Sequence, residues 1–247
     1  MERGAHVDES ALRFRSICRR NGLPVSDQQL EKLGQYVQLL QDWNTKLNLV
    51  SRGERKDIWT AHILHSISPL FLLDIQPALR VLDLGTGGGL PGIPLAIVRP
   101  DLQIMLVDSI RKKIAAVQDI VARLSLPNVD AVASRVEDLP RTNGFEHFDI
   151  VVARGVAPLL ELVRWSRLLL RDRPAHPQGT HSTNARALRL PCLIAYKGGD
   201  LASEVQALTR RFPSVSVDIR NIVFDGSSEI DLTEKKLVIV TTHQKPL

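Results

Sequence analysis

An α/β fold, built on a central, mostly parallel seven-stranded sheet with an antiparallel C-terminal hairpin strand and preceded by a helical extension, follows from three features of the sequence. From residue 80 onward short apolar runs rich in β-branched residues alternate with helical stretches long enough to cross back over a sheet, the texture of βαβ units. The first run, Val81–Leu84, breaks directly into glycines and then into a helix. The last two, Val215–Phe224 and Leu237–Thr242, are joined by a polar loop without a helix, so they pair as a hairpin at the sheet edge. The chain divides into a helical extension over 1–75 and the α/β core over 76–247.

Within the extension, Ala11, Leu12, Phe14, Ile17 and Cys18 fall on one helical face, and Asn21-Gly22 supplies a stop before Pro24. Ser26 followed by Gln29 is a capping-box pattern, and the stripe Leu30, Leu33, Val37, Leu40 carries that second helix to about Trp43. A third spans 55–73 on Ile58, Ile63, Ile67, Leu70 and Leu73, with Pro69 bending or dividing it. In the core, strands are expected at Val81–Leu84, Ile104–Val107, Val129–Ala133, Phe148–Ala153 and Leu193–Tyr196, with helices near 92–98, 111–125, 157–171 and 200–211. The stretch 172–190, rich in Pro, His, Ser, Thr and Arg, reads as an exposed basic loop.

Composition narrows the class. At 247 residues the chain buries enough apolar surface to fold without staples, and 24% charged with 44% hydrophobic residues excludes wholesale disorder. Two cysteines, Cys18 and Cys192, build no disulfide framework and have no metal-ligand spacing, which fits a reducing, cytoplasmic setting. The first thirty residues lack the apolar core of a secretory signal, and no apolar run reaches the roughly 18 residues of a membrane span, so no membrane association is expected. His62 and His65 lie one helical turn apart with no third ligand in view, so no metal is expected.

The sharpest local signal is the run from Val81 to Gly92, a strand entering Gly85-Thr86-Gly87-Gly88-Gly89. Glycines let the backbone turn tightly and let a ligand approach the main chain, and in an open parallel sheet this turn lies at the ligand-binding switch point. Asp108 closes the second strand 23 residues after Gly85, the spacing of a carboxylate that accepts ribose hydroxyls. Gly87, Gly89 and Gly92 match the dinucleotide fingerprint literally, but two residues too far from the strand; in the proper register Leu90 stands where the third glycine belongs. Pro91 and Pro94 remove two donors that a pyrophosphate would need, and Asp83 adds negative charge that repels a diphosphate and welcomes a sulfonium or amino group. The pattern Asp-x-Gly-x-Gly-x-Gly resembles the cofactor loop of the class I (Rossmann-like) methyltransferases, which bind S-adenosylmethionine; a nicotinamide or flavin dinucleotide is the alternative.

Further along, Val136 and Glu137 follow the third strand, where this class sets residues beside the adenine. After the fourth strand comes Ala153-Arg154-Gly155-Val156-Ala157-Pro158, without the Asn/Asp-Pro-Pro-aromatic grip of amine methyltransferases. Nor is there a Pro-Cys nucleophile pair there; Pro191-Cys192 falls one strand too late. What the position offers is the cation Arg154.

Trp43-Asn44, Asn48-Leu49, His62-Ile63-Leu64-His65-Ser66, the Gly85–Pro94 turn, Val107-Asp108-Ser109 with Lys112-Lys113, Ser134-Arg135-Val136-Glu137, Ala153-Arg154, Lys197-Gly198 and Leu237-Val238-Ile239 together make the chain similar to the family of ribosomal RNA small-subunit methyltransferase G, also known as glucose-inhibited division protein B. The resemblance covers nearly the whole chain. It implies methyl transfer from S-adenosylmethionine to N7 of a guanine in 16S ribosomal RNA, with the RNA or the small ribosomal subunit as partner and no obligate protein partner. It implies cofactor contacts at Gly85, Leu90, Val136, Glu137 and Arg154; Gly87 is added from the glycine turn itself and Asp108 for the ribose from spacing. It also implies RNA contacts by basic residues, for which Arg135 and Lys197 stand first, with Lys235 and Lys236 behind them; Arg154 as an orienter of the base is read from its place after the fourth strand. This sequence departs from the family's usual residues at His65, Val156 and Lys235-Lys236.

Guanine N7 carries an in-plane lone pair and no proton, so such a reaction needs no general base and rests on positioning. An arginine can orient that base through O6 and N7 without taking a proton. A methyltransferase acting on protein or a small molecule, or an NAD-linked oxidoreductase, are the competing readings. The net charge of +5 lies wholly in 164–189, where six arginines face Asp172 alone and the remainder balances at 26 cations against 26 anions. This basic stretch reads either as a solvated face or as a cationic loop near the substrate side that tracks phosphates.

Overall fold

The computed structural model describes residues 9–50, 58–142, 144–172, 185–230, 232 and 234–242. Helix α1 (Glu9–Arg20) buries Ala11, Phe14, Ile17 and Cys18, while Leu12, expected on the same face, is exposed because its position turns past the edge of that stripe. It ends where predicted: the Asn21 amide bonds the carbonyls of Ile17 and Cys18, and Gly22 takes φ +74°. Helix α2 (Asp27–Asn44) begins with the complete capping box, Ser26 Oγ accepting from Gln29 N and Gln29 Oε1 accepting from Ser26 N.

The third helix is not one element. A π-helical segment, Trp59–Leu64, runs into α3 (His65–Ile67) and then α4 (Pro69–Leu72), and residues 55–57 of the expected span lie outside the described residues. Pro69 supplies no N–H and starts α4 afresh. The hydroxyls of Ser66 and Ser68 donate to the carbonyls of His62 and His65 (2.6 and 2.8 Å), competing with the regular ladder. The predicted stripe Ile58, Ile63, Ile67, Leu70, Leu73 is buried throughout.

The core is one seven-stranded sheet in the order β3-β2-β1-β4-β5-β7-β6. Its strands are β1 (Arg80–Leu84), β2 (Gln103–Asp108), β3 (Val129–Ala133), β4 (Ile150–Arg154), β5 (Cys192–Gly198), β6 (Val215–Asn221) and β7 (Lys235–Thr242). The helices between them are α5 (Gly92–Val98), α6 (Arg111–Leu124), α7 (Leu159–Leu169) and α8 (Ala202–Arg211). β1 to β5 are parallel; β7 runs antiparallel to both its neighbours, so it is wedged between β5 and β6 rather than lying outermost. The period-2 pleat divides the core between two faces. Val81, Ile104, Ile150, Val152, Cys192, Ile194 and Tyr196 pack with the N-terminal helices, α5 and α6; Leu82, Leu84, Val107, Val151, Leu193 and Ala195 pack with α7 and α8. No described helix is long and apolar enough to cross a membrane.

The basic stretch is attached at the end of the strands opposite the glycine turn. α7 ends against the start of β4, where Leu170 bridges Phe148, and the stretch re-enters at Cys192, the first residue of β5. Asp74 bridges Ala187 and pairs with Arg186 at 3.4 Å. Residues 173–184 lie outside the described residues. The described anchors therefore stand away from the glycine turn, because a parallel strand that follows a helix must begin at the opposite end of the sheet.

The N-terminal helices hold the glycine turn directly. Tyr36, fully buried on α2, donates its hydroxyl to Gly88 O at 2.9 Å. Tyr36→Phe leaves that buried carbonyl without its donor and lowers stability by about 1–2 kcal/mol; urea unfolding checks this, with an unchanged midpoint counting against the contact.

Candidate active site

The turn after β1 is cross-braced by Asp83, which is fully buried. Its Oδ2 accepts from Thr86 Oγ1 at 2.7 Å and from Gly92 N at 2.8 Å, tying both ends of the turn to the strand. Its Oδ1 is buried without a hydrogen-bond partner. Burial pushes the carboxyl up to about 6, against the two hydrogen bonds and the nearby Arg154 charge, which pull it down. Gly85, Gly87 and Gly89 take φ of +71°, +58° and +93°, and a Cβ at Gly85 would stand 2.6 Å from Val156 Cγ2, so glycine is required there twice over. Leu40 and Leu49 close over Gly88, and Asn44 Oδ1 accepts from Leu49 N and Val50 N, holding that cover in place.

Asp108 stands beside the turn, as its spacing predicted. Oδ2 accepts from Gly87 N (3.1 Å) and Oδ1 from Ile110 N (2.9 Å), so the carboxylate is oriented by main chain and keeps further lone pairs for a ligand. Ser134 N donates to Asp108 O, which brings the head of the short 3₁₀ turn Val136–Arg141 alongside; Val136 is half-buried, Glu137 and Arg135 are exposed. Ile110, 48% exposed with its amide on Asp108, adds an apolar surface between these residues that sequence reasoning missed. The signal was available, since an apolar side chain directly before a cationic helix start has no core to face. Leu90 is buried, its N bonded to Thr86 O, so any ligand contact it makes is through backbone.

Arg154 ends β4 in register with Tyr196 on β5 and therefore shares a face with Asp83 and the N-terminal helices. Its guanidinium lies 3.4 Å from His62 O, His62 Nδ1 and Ser66 Oγ, while Tyr196 donates to Ser66 O at 2.6 Å. His65 packs edge-on to Tyr196, and burial, with Arg154, Lys235 and His62 behind it, pushes its imidazole down to about 3, so it is neutral. Among the described residues no group of three or more His, Cys, Asp or Glu could hold a metal ion.

Lys197, one residue beyond Tyr196, points to the other face. Its Nζ donates to Glu204 Oε2 (2.7 Å) and Ala157 O (2.9 Å), and the side chain is 14% exposed. The sheet thus brings Asp83, Gly85, Gly87, Asp108, Val136, Glu137 and Arg154 to the carboxyl ends of neighbouring parallel strands, where an open α/β sheet has its ligand crevice, while Arg135 is exposed beside Val136 and Lys197 holds the post-β4 loop from the other face. Lys236 donates to Gly199 O at 2.6 Å, away from the crevice centre.

An oriented carboxylate beside a glycine cradle suits a ribose, and the negative charge of a buried carboxylate with an unpartnered oxygen suits a nearby cationic group. The reversed β7 separates this sheet from a dinucleotide-binding one, whose six strands run parallel in the order 3-2-1-4-5-6. Fold and crevice together define a class I methyltransferase, the class that draws on S-adenosylmethionine. Within it, the chain belongs to the family of rRNA small subunit methyltransferase G, whose GidB sequence profile matches residues 29–176. The ribosomal RNA small subunit methyltransferase G of Chlorobaculum tepidum is 42% identical over 90% of this chain and 94% of its own, and that of Chlorobium phaeobacteroides 40% identical over 92% and 93%. The crystal structure of cofactor-bound Rv0187 from MTB superposes with a TM-score of 0.53 at 16% identity, over 87% of this chain and 91% of that one, a likeness of fold.

The raised Asp83 fixes a pH signature. Its folded value lies above its unfolded one of 3.8, so the stability it allows is full below about 4 and is lost as pH rises through about 6. The loss is on the order of 3 kcal/mol. Chemical unfolding between pH 4 and 7.5 should show it, and Asp83→Asn should remove that slope; an unchanged slope in the variant would place it elsewhere.

Proposed function

We propose that this chain transfers the methyl group of S-adenosylmethionine to N7 of a guanine in 16S ribosomal RNA, as free RNA or within the small subunit. The observation that carries the reading is the Asp83-braced glycine cradle facing Asp108, in a chain whose family is named for the small-subunit rRNA. The cofactor reading assigns Gly85 and Gly87 to close backbone approach, Asp108 to ribose hydroxyls, Val136, Glu137 and Ile110 to the adenine, and Leu90 and Arg154 to the remainder of the crevice. Asp83 contributes negative charge where a sulfonium and an amino group are favoured.

When bound, S-adenosylmethionine supplies an electrophilic methyl group. The chain's own task is then to hold the acceptor in line and keep water out. A lone pair in the plane of the base needs no side chain to remove a proton, and the post-β4 residues supply no base. Cys192 is no rival nucleophile, since it is fully buried and burial pushes its thiol far up. Arg154 is assigned to orient the guanine or the cofactor, and the exposed Arg135 to meet a phosphate on the rim. An rRNA substrate carries a cytoplasmic location with it.

Labelled cofactor offered to 16S rRNA, small subunits and ribosomal proteins in parallel should place label on RNA, and mapping should place it at guanine N7; label on protein alone overturns the reading. Arg154→Ala should lower transfer by at least tenfold, a result that full activity would contradict. Because a cation on Asp83 requires the carboxylate, cofactor affinity should weaken as pH falls through about 6, whereas Asp83→Asn should bind weakly at every pH; calorimetric titration at pH 5 and 7.5 separates the two.

A further inference from the structure

We propose that Lys197 and Glu204 are positioning residues that clamp the loop between β4 and α7 for methyl transfer, and that Lys197 makes no contact with RNA. The loop Gly155–Pro158 leaves β4 directly after Arg154 and reaches the first helical residue, Leu159. Its fixed points come from across the sheet. Lys197 Nζ donates to Ala157 O at 2.9 Å, and Glu204 Oε2, on the first turn of α8, accepts from Leu159 N at 2.6 Å and from Lys197 Nζ at 2.7 Å.

That geometry answers a need of α7. Its N-cap, Pro158, offers no side-chain oxygen, so the first amide of the helix would be left to solvent without Glu204. Glu204 acts as a cap supplied in trans, and its negative charge sits at the positive end of the α7 dipole. Lys197 in turn neutralises Glu204 in a largely covered place, 14% and 31% exposed, where an unpaired charge is costly. Neither head group is in the crevice.

The loop matters because of what it carries. Val156, between the β4 end and the clamped Ala157, packs against Gly85, whose missing Cβ would stand 2.6 and 2.9 Å from the two Val156 methyls. A line of contact therefore runs from Glu204 through Leu159 and Ala157 to Val156 and the first glycine of the cofactor turn. Displacing the loop by about an ångström would misplace both Val156 and the backbone beside Arg154, and misplacement on that scale lowers rates by one to two orders of magnitude.

The inference rests on the rRNA methyltransferase reading, and its test keeps the two apart. Lys197→Met, Glu204→Ala, the milder Glu204→Gln, and Lys197→Met combined with Glu204→Ala are compared with the wild type for transfer to 16S rRNA at several salt concentrations. Amide exchange over residues 155–162 is followed by mass spectrometry in the same proteins. The expected result is a kcat lowered about ten- to a hundredfold with little change in the RNA KM or its salt slope, and no added loss in the double variant. Exchange over 155–162 should quicken while the sheet is unaltered, and Glu204→Gln, keeping one acceptor oxygen, should fall between. A raised RNA KM with a salt slope flatter by about one in Lys197→Met would mark a phosphate contact and overturn the proposal. So would tighter RNA binding on loss of Glu204. Should the wild type put no methyl on rRNA, the functional reading fails, and exchange alone decides the clamp: unchanged protection at 155–162 in every variant overturns it.

Discussion

The rest of the molecule is arranged around the buried carboxylate of Asp83. A carboxylate taken out of water is destabilising by several kcal/mol unless donors meet it. Here the donors come from the turn itself, Thr86 three residues on and Gly92 nine residues on, so the turn cannot open without orphaning the carboxylate. The reverse dependence is as strong. Gly92 has no room for a side chain, because a Cβ there would stand 2.8 Å from Asp83 Oδ2. Carboxylate and glycine turn specify one another, and Tyr36, Leu40 and Leu49 then close over the one carbonyl and glycine left facing the extension. The N-terminal helices are for this reason part of the crevice wall, sharing a single apolar cluster with the sheet.

Strand parity decides which chemistry each face of the sheet carries. Arg154 and Tyr196 are register partners and point together toward the π-helical segment and α3, where His62, His65 and Ser66 receive them. Lys197 follows Tyr196 by one residue and so belongs to the opposite face, with α7 and α8. Two cations at neighbouring strand ends, alike in a linear reading, thus have unrelated surroundings. One looks into the crevice from beneath; the other holds the loop that bounds it from behind.

Much of this was legible in the sequence, because it depends on contacts local in the chain. The capping box at Ser26, the stop at Asn21-Gly22, the division at Pro69 and the strand-to-glycine transition each depend on residues within a few positions. The spacing from Gly85 to Asp108 was equally readable, since one βαβ unit sets it. What escaped reading joins distant segments: Tyr36 to Gly88, Glu204 to Leu159, and Val156 to Gly85, separated by 52, 45 and 71 positions. The pairing of Lys197 with Glu204 was hidden in the same way, because the carboxylate belongs to the helix that follows β5. The hairpin was foreseen, but not that β7 would enter between β5 and β6, since order within a sheet is a property of pairing rather than of any one strand.

The charge distribution shows the same limit from another side. The arithmetic surplus belongs to 164–189, yet the described anchors of that stretch stand at the end of the strands opposite the glycine turn. A sum of zero over the rest of the chain conceals placement. Arg111, Lys112 and Lys113 fill the first turn of α6 beside Asp108, where the helix dipole disfavours cations and the turn itself holds no acidic residue. Arg135 stands exposed on the next strand end. Helix stability alone does not select that arrangement, whereas a polyanion approaching the open edge of the crevice would be met by it. Net charge, a sum without position, gives no sign of that arrangement.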